Sequence, residues 1–178
     1  MLSQVLAQKL APKSKEGSAR ATEIAKAVRD AISQTRLLAR GLSPVTLESE
    51  GLMSALAELT LNTEKMFGVH CVFDCEKIVK FDNYAAATHL FRIVQEAVSN
   101  AIKHGKAKKI SIQLREDPMH LHLRVTDNGT GFPDNFSSGS GMGLRIMQTR
   151  IGMVGGILTV EHNPGGGISV VCAAPKNN

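Results

Sequence analysis

Apolar residues recur at two different periods along this chain of 178 residues, and the two periods predict different elements. Spacings of three and four residues, typical of a helix with one buried face, occur at positions 19–42, 51–68, 90–105 and 144–154. Strict alternation, typical of a strand with one buried face, occurs at positions 69–73, 110–114, 121–125, 157–161 and 168–174. Gly68 is predicted to end the second helix, and Asp82 or Asn83 to cap the third. The pattern predicts an α+β fold, a two-layer sandwich with helices on one face of a mixed sheet.

The first 45 residues differ from the rest because they predict helices without strands. A short amphipathic helix over residues 1–11 precedes a break that contains Pro12 and Gly17. The longer helix that follows carries two adjacent apolar seams, formed by Ile24, Val28, Ala31, Thr35, Leu38 and Leu42, and by Ala21, Ala25, Val28, Ile32, Thr35, Ala39 and Leu42. Two seams favour a helical hairpin in a dimeric four-helix bundle, with a single helix packed on its own domain as the alternative. Pro44 marks the linker that follows.

The helix predicted at 90–105 carries polar side chains beside its apolar stripe. Glu96, Asn100 and His104 are four residues apart and line up on one side of the helix, next to Lys103. Asparagine is unfavourable inside a helix because its amide competes for backbone hydrogen bonds. A bound cation with phosphates would explain its position, although each side chain alone is compatible with an ordinary exposed helix residue.

Two glycine-rich stretches complete a predicted nucleotide pocket. Asp127 closes a strand, and its carboxylate can accept a hydrogen bond from an exocyclic amine such as that of adenine. Gly129 and Gly131 allow the backbone to turn sharply beside a flat ring. The second stretch opens a helix whose first N–H groups would receive phosphate oxygens, and its residues are Gly139, Gly141, Met142, Gly143 and Leu144. The order of the three stretches, more than any one of them, predicts a nucleotide site.

Composition argues against a nucleic-acid partner and a membrane span. Aromatic residues make up 4% of the chain and Trp is absent, so a base-stacking surface is poorly supplied. The net charge of +5 includes a cluster that is interpreted as solvated surface with some attraction for phosphate, namely Lys103, Lys106, Lys108 and Lys109. No apolar run approaches the roughly 20 residues that a membrane span needs. The expected location is cytoplasmic, and a membrane-anchored parent protein stays open.

The three cysteines form no recognised disulfide framework. His70 beside Cys71 and Cys75 invites a metal site, but no second pair of ligands follows at zinc spacing. The interpretation is that these residues and Cys172 are reduced structural thiols of a cytosolic protein.

The three polar stretches resemble the ATP-binding domain of sensor histidine kinases, in the superfamily that these share with gyrase, Hsp90 and MutL. The segments LLARGLSPVTLESEGLMSALAEL, LFRIVQEAVSNAIKHGKAK and GMGLRIMQTR are similar, more closely, to the nitrate-sensor-like subfamily. The resemblance extends over about residues 27–175. It implies binding of ATP with Mg²⁺ and the fold of this superfamily.

The resemblance also implies a role for each matching residue. Asn100 matches the asparagine that holds Mg²⁺ on the ATP phosphates, and Glu96 matches the acidic residue that acts as base or orients the attacking imidazole. Lys103 and His104 fall where basic side chains approach phosphates, and Asp127 matches the aspartate that binds the adenine amino group. The matching glycines form the wall of the base pocket or meet the phosphates as a lid closes, and they are Gly129, Gly131, Gly141 and Gly143.

The implied function is the ATP-binding core of a two-component sensor histidine kinase, with a response regulator receiver domain as partner and a homodimer in the full-length protein. Residues 1–45 would be a truncated dimerisation and phosphotransfer hairpin, and residues 46–178 the catalytic domain. Because none of the six histidines precedes His70, the phosphoacceptor is expected to lie outside this chain. The alternatives are a non-catalytic ATP-sensing dimer module and a serine kinase of the anti-sigma type.

The sequence departs from the family pattern at two places. Many relatives have a threonine after the last glycine box that helps to fix the adenine aspartate, whereas Ile168 and Ser169 follow Gly167 here. This difference puts the water-bridged contact of that threonine in question. The stretch 133–139 is also short for an ATP lid, and residues 134–140 are expected to be mobile without nucleotide.

Overall fold

The structure is a computed structural model that describes residues 14–42, 51–79, 83–131 and 141–176, without the side chains of residues 29–42. Contacts along the backbone divide the chain into one unit that ends at Pro44 and a second that starts at Val45. The helix predicted at residues 1–11, the linker at Pro44, Gly139 and the lid over residues 134–140 lie outside the described residues.

The first unit contains the helix α1, Lys15–Leu42. Its beginning is capped by Ser14, whose hydroxyl oxygen accepts a hydrogen bond of 3.0 Å from the N–H of Gly17. Among the described seam positions, Ala21 and Ala25 are buried, whereas Ile24 is 59% exposed and Val28, which belongs to both seams, is 48% exposed. The side chains of the later seam positions lie outside the described residues.

The second unit contains the elements that the two apolar periods predict. Its helices are α2 (Gly51–Phe67), α3 (Tyr84–Lys103) and α4 (Met142–Met153). Its strands are β1 (His70–Cys75), β2 (Lys109–Glu116), β3 (His120–Asp127), β4 (Ile157–His162) and β5 (Ile168–Pro175).

The strands form one mixed sheet in the order β1-β2-β3-β5-β4. β1 and β2 are parallel, and the other three pairs are antiparallel. Ile112 pairs with Val125 and Val125 with Val170, so these side chains point to the same face of the sheet. The prediction of a mixed sheet is confirmed.

That face of the sheet and the three helices of the second unit enclose the hydrophobic core. Leu90, Ile93 and Val94 of α3 are fully buried, and Ile112 and Leu123 of the central strands are at most 1% exposed. Burying a side chain of this size stabilises the fold by about 1.5–3 kcal/mol. The core therefore positions α3, which carries Glu96 and Asn100, above the centre of the sheet.

The opposite face of the sheet is polar. Arg115 of β2 forms an ion pair of 2.6 Å with Asp74 of β1, and Arg124 of β3 forms one of 3.0 Å with Glu161 of β4. Exposed pairs of this kind contribute about 0–1 kcal/mol each. The layering is that of a two-layer sandwich, as the sequence predicts.

Local signals in the sequence set the helix ends of the second unit. Gly68 has a φ of +63° and ends α2, and its N–H donates to the carbonyl of Glu64 at 2.9 Å. The side chain of Asn83 caps α3 by accepting the N–H of Ala86 at 2.9 Å. At its other end α3 closes with Lys106 at a φ of +51°, and the chain then enters β2.

Candidate nucleotide site

The three polar stretches of the sequence meet at one end of the sheet. The turn after β3 lies against the end of α3, because the N–H of Thr130 donates to the carbonyl of Gly105 at 2.8 Å. The first turn of α4 lies against the middle of α3, where Gly143 faces Glu96 and Asn100. Both glycine-rich stretches therefore pack against α3, which carries the first polar stretch.

Gly143 packs so closely on α3 that a side chain fits at this position only if Glu96 moves aside. A Cβ atom on Gly143 would lie 3.1 Å from Nδ2 of Asn100, 3.2 Å from Cδ of Glu96 and well inside contact distance of Oε1 of Glu96. The glycine here is a requirement of close approach, since its φ is not in the left-handed region. It brings the backbone of α4 directly beside a carboxylate and an amide.

The first turn of α4 presents backbone donors at this place. The N–H groups of residues 142–144 have no acceptor within the helix because they lie in its first turn. Gly141 is the N-cap and has no side chain that could bind them. Met142 is 81% exposed, whereas the side chain of Leu144 is buried in the core. Leu144 can therefore contribute only its backbone to the site, and its side chain anchors α4.

Asp127 is the last residue of β3, and its carboxylate is fixed by the backbone around it. Oδ1 accepts the N–H of Gly129 at 2.7 Å. Burial raises the pKa of this carboxyl above its ordinary value, while the N–H groups of Gly129 and Ile168 act in the opposite direction. The structure thus holds a half-buried acceptor in one orientation.

The glycines after Asp127 allow the turn to approach its neighbours closely. A Cβ atom on Gly129 would lie 2.8 Å from the carbonyl carbon of Gly105 and closer still to its oxygen. Gly131 has a φ of +76°, a conformation that strains any other residue, and its nearest neighbours are His162 and Gly167. The D-N-G-T-G turn is therefore closely packed between α3 and the β4–β5 turn.

Lys103 and His104 lie at the end of α3, as the last helical residue and the C-cap. Both are exposed. The structure therefore places both side chains in solvent at the C-terminal end of α3.

Two asparagines support the site, and the sequence patterns did not single them out. Oδ1 of Asn128 accepts the N–H groups of Lys108 and Lys109 at 2.9 and 2.8 Å, which ties the turn after β3 to the start of β2. Nδ2 of Asn163, in the β4–β5 turn, donates to the carbonyl of Asp127 at 3.1 Å. The available signal was the placement of each asparagine in a glycine-containing turn, where its side chain often binds nearby backbone.

The first departure from the family pattern, the missing threonine, has a structural counterpart. Ser169 lies one residue beyond the expected threonine, and its hydroxyl binds Asn163 and Thr126. At the position of the expected threonine, the backbone N–H of Ile168 faces the Asp127 carboxylate. Backbone therefore contacts the carboxylate where a side chain was expected.

The cysteines lie away from these three stretches. Cys71 and Cys172 are buried, and burial raises the pKa of their thiols to about 11 and about 12. The sulfur of Cys75 lies 3.0 Å from the carbonyl oxygen of Lys77. His70 binds the carboxylate of Glu64 through Nδ1 at 2.9 Å.

Comparison with protein families finds one matching model, described as histidine kinase-, DNA gyrase B-, and HSP90-like ATPase, over residues 85–178. The matched residues include all of α3 after Tyr84, the turn after β3 and the start of α4. Among curated proteins, the sensor histidine kinase LiaS of Bacillus subtilis is 35% identical over 146 residues. The sensor protein VraS of Staphylococcus saprophyticus is 31% identical over 154 residues.

The chain spans less than half the length of these relatives. The alignments cover 82% and 85% of this chain, but 40% of LiaS and 43% of VraS. Among solved structures, the ATP-binding domain of PrrB from Mycobacterium tuberculosis superposes with a TM-score of 0.59 at 20% identity, over 71% of this chain and 95% of that one. The histidine kinase domain of the Erythrobacter litoralis EL346 blue-light-activated kinase gives a TM-score of 0.59 at 19% identity, over 70% of this chain and 61% of that one. At such identities the likeness is one of fold.

Proposed function

Because this chain belongs to the family of histidine kinase-, DNA gyrase B- and HSP90-like ATPases, we propose that it is the ATP-binding core of a two-component sensor histidine kinase. In this proposal residues 46–178 bind ATP with Mg²⁺ and transfer the γ-phosphate to a histidine that is not among the six of this chain. The phosphate then passes to an aspartate in the receiver domain of a response regulator.

One observation carries the proposal, namely the contact of Gly143 with both Glu96 and Asn100. Phosphates bound to the N–H groups of the first turn of α4 would lie beside the carboxylate of Glu96 and the side-chain amide of Asn100. The phosphoryl group, the proposed metal ligand Asn100 and the proposed general base Glu96 would then be close together. The end of β3 supplies a carboxylate acceptor near the C-terminal end of α3, where the adenine ring can bind.

The proposed roles follow from this arrangement. Asp127 accepts a hydrogen bond from the adenine amino group, and the backbone at Gly129 and Gly131 lies along the face of the base. The N–H groups of residues 142–144 bind phosphate oxygens. Lys103 and His104 add positive charge from the solvent side.

Magnesium fits the site only together with the nucleotide. The described residues contain no group of three or more His, Cys, Asp or Glu side chains that could hold a metal ion. Mg²⁺ prefers oxygen ligands, retains several waters and is commonly bound through one or two protein groups and the substrate phosphates. We therefore assign to Asn100 a single amide-oxygen ligand, with phosphates and water supplying the others.

Phosphoryl transfer at this site would depend on positioning and charge. The transferred group passes through a loose transition state, so the protein needs mainly to align donor and acceptor and to stabilise the phosphate charge. Glu96 lies where it can orient an incoming imidazole or accept its proton. A bound magnesium ion would neutralise charge between the phosphates.

The organisation of the longer protein is part of the same proposal. We assign residues 1–45 to a dimerisation and phosphotransfer hairpin that lacks the acceptor, and we expect a homodimer in the full-length protein. None of the helices in the described residues is long and apolar enough to cross a membrane. We expect the site to face the cytoplasm, where ATP is present.

Calorimetric titration with Mg-ATP tests nucleotide binding directly. The chain should bind saturably, and Asp127→Asn should weaken binding by about 10- to 100-fold, because a hydrogen bond to a charged group contributes about 1.5–3 kcal/mol. Asp74→Asn is the matched control, since Asp74 lies on the polar face of edge strand β1. Equal affinity in both variants would contradict the placement of adenine, and no binding by the folded wild type would contradict the function.

A second candidate, an ATP-sensing module without catalysis, is favoured by the absence of histidine from residues 1–69. Labelled ATP and a dimerisation helix that contains an acceptor histidine separate the two. The kinase should transfer label, and Glu96→Gln should reduce transfer by about 10²–10⁴-fold while ATP binding is retained. ATP binding without any transfer would favour the sensing module. Transfer to serine would favour the third alternative, the serine kinase of the anti-sigma type.

A further inference from the structure

We propose that Asn163, in the β4–β5 turn, is a positioning residue for adenine recognition. Its side chain binds the backbone of Asp127 and thereby fixes the position of the Asp127 carboxylate. The inference rests on the proposed function, in which Asp127 accepts a hydrogen bond from the adenine amino group. It adds a specificity-determining residue that makes no contact with the nucleotide and belongs to none of the three polar stretches.

The amide of Asn163 links the β4–β5 turn to the backbone of β3. Nδ2 donates to the carbonyl oxygen of Asp127 at 3.1 Å, and Oδ1 accepts the hydroxyl of Ser169 at 2.8 Å. A carbonyl oxygen can only accept, so Nδ2 must be the atom that faces Asp127. The orientation of the amide is therefore fixed by its partners.

A chain of hydroxyl groups holds the other end of this amide. The hydroxyl oxygens of Ser169 and Thr126 are 3.0 Å apart, and Ser169 is 1% exposed. Since the single hydroxyl proton of Ser169 goes to Asn163, Thr126 must donate to Ser169. A buried hydroxyl is costly without partners, so this network favours one arrangement of β3, β5 and the turn.

The same turn contacts the carboxylate of Asp127. Asn163 closes the turn through its backbone, since its N–H donates to the carbonyl of Gly167 at 3.1 Å and its carbonyl accepts the N–H of Gly166 at 3.0 Å. Ile168, which follows Gly167, directs its N–H to the Asp127 carboxylate. Asn163 thus fixes both the backbone of Asp127 and the position of one donor to its side chain.

The expected consequence is specific for the 6-amino group of adenine. Without the amide of Asn163, Asp127 keeps the N–H of Gly129 but loses the constraint from the turn. The carboxylate should then spend part of its time outside the orientation that accepts the amino proton. A ligand without that amino group makes no use of this orientation and should be unaffected.

The test compares two nucleotides by calorimetry, Mg-ATP and the Mg complex of purine riboside triphosphate, which lacks the 6-amino group. Asn163→Ala should weaken ATP binding by about three- to tenfold, the equivalent of one net hydrogen bond, and leave the affinity for the analogue within about twofold. Asn163→Asp, which retains the shape but loses the donor, should weaken ATP binding at least as much. Asn62→Ala removes an amide that binds Glu58 on α2 and serves as the control.

Equal losses for both nucleotides would overturn the inference, because a general loosening of the pocket would affect both. Unchanged ATP affinity in Asn163→Ala would overturn it as well. If the wild type binds neither nucleotide, the proposed function fails, and amide hydrogen exchange of the free protein then tests the positioning. Asn163→Ala should speed exchange at Ile168, and unchanged exchange there would refute the contact as a constraint.

Discussion

Substitution of Gly167 by alanine should destabilise this fold more than substitution of either preceding glycine. Gly167 has a φ of +82°, and a Cβ atom there would lie 2.6 Å from the carbonyl carbon and 2.8 Å from Oδ1 of Asp127. Its closest neighbour would be the backbone oxygen of Asp127. Backbone cannot rotate away as a side chain can, so β3 and the turn must separate.

The magnitude follows from two contributions. The left-handed backbone costs a residue with a Cβ atom about 1–2 kcal/mol. Overpacking against groups that cannot rotate away costs a further 1–3 kcal/mol, about the range found for extra methyl groups in cores. The sum of about 2–5 kcal/mol is a large fraction of the stability of an ordinary domain, which is about 5–15 kcal/mol.

Its neighbours in the same turn supply graded controls. Gly166 has a φ of +91°, but a Cβ atom there would lie 3.4 Å from its nearest neighbour, so only the backbone contribution of about 1–2 kcal/mol applies. Gly165 has no left-handed backbone and no atom within 4 Å of the added group, so alanine should be neutral or stabilise by up to about 1 kcal/mol. Urea denaturation of the three variants measures the order. Equal stability of Gly165→Ala and Gly167→Ala would refute the reasoning.

Two further predictions concern residues outside this turn. Lys106→Gly should stabilise the protein by up to about 1 kcal/mol in urea denaturation, because glycine adopts the φ of +51° without strain; a measurable loss of stability would contradict this. A thiol reagent at pH 8 should modify Cys75 rapidly in the native protein, and the buried Cys71 and Cys172 only as the chain unfolds, since burial keeps their thiols protonated. Three equal rates of modification would be inconsistent with the core described above.

Local signals account for the parts of the fold that the sequence predicts correctly. The stop at Gly68 and the cap at Asn83 depend on a few neighbouring residues, and both are confirmed. Apolar periods give the helices and strands because each element buries one face. Thr60 and Thr63 are buried on α2 although they are polar, since their hydroxyls bind carbonyls of their own helix. A count of apolar residues cannot find such positions.

Strand order could not be read from the same patterns. Alternation in residues 69–73 predicts a strand but gives no partner, and β1 joins the sheet as a parallel edge strand beside β2. Pairing between strands far apart in sequence is decided by how whole faces fit together. For the same reason the sequence predicted Asp127 but gave no indication that Asn163, 36 residues later, contacts its carbonyl.

The glycines of the site show how this information is distributed between sequence and structure. A glycine can reflect either an unusual φ or a close approach, and the sequence does not distinguish them. Gly131 and Gly167 have positive φ, whereas Gly143 does not and is instead pressed against Glu96 and Asn100. Because the neighbours of Gly143 are ends of side chains, alanine there could be tolerated by the fold if Glu96 swings aside. Such a movement would displace the group that the proposed reaction needs, so this position is constrained by function more than by stability.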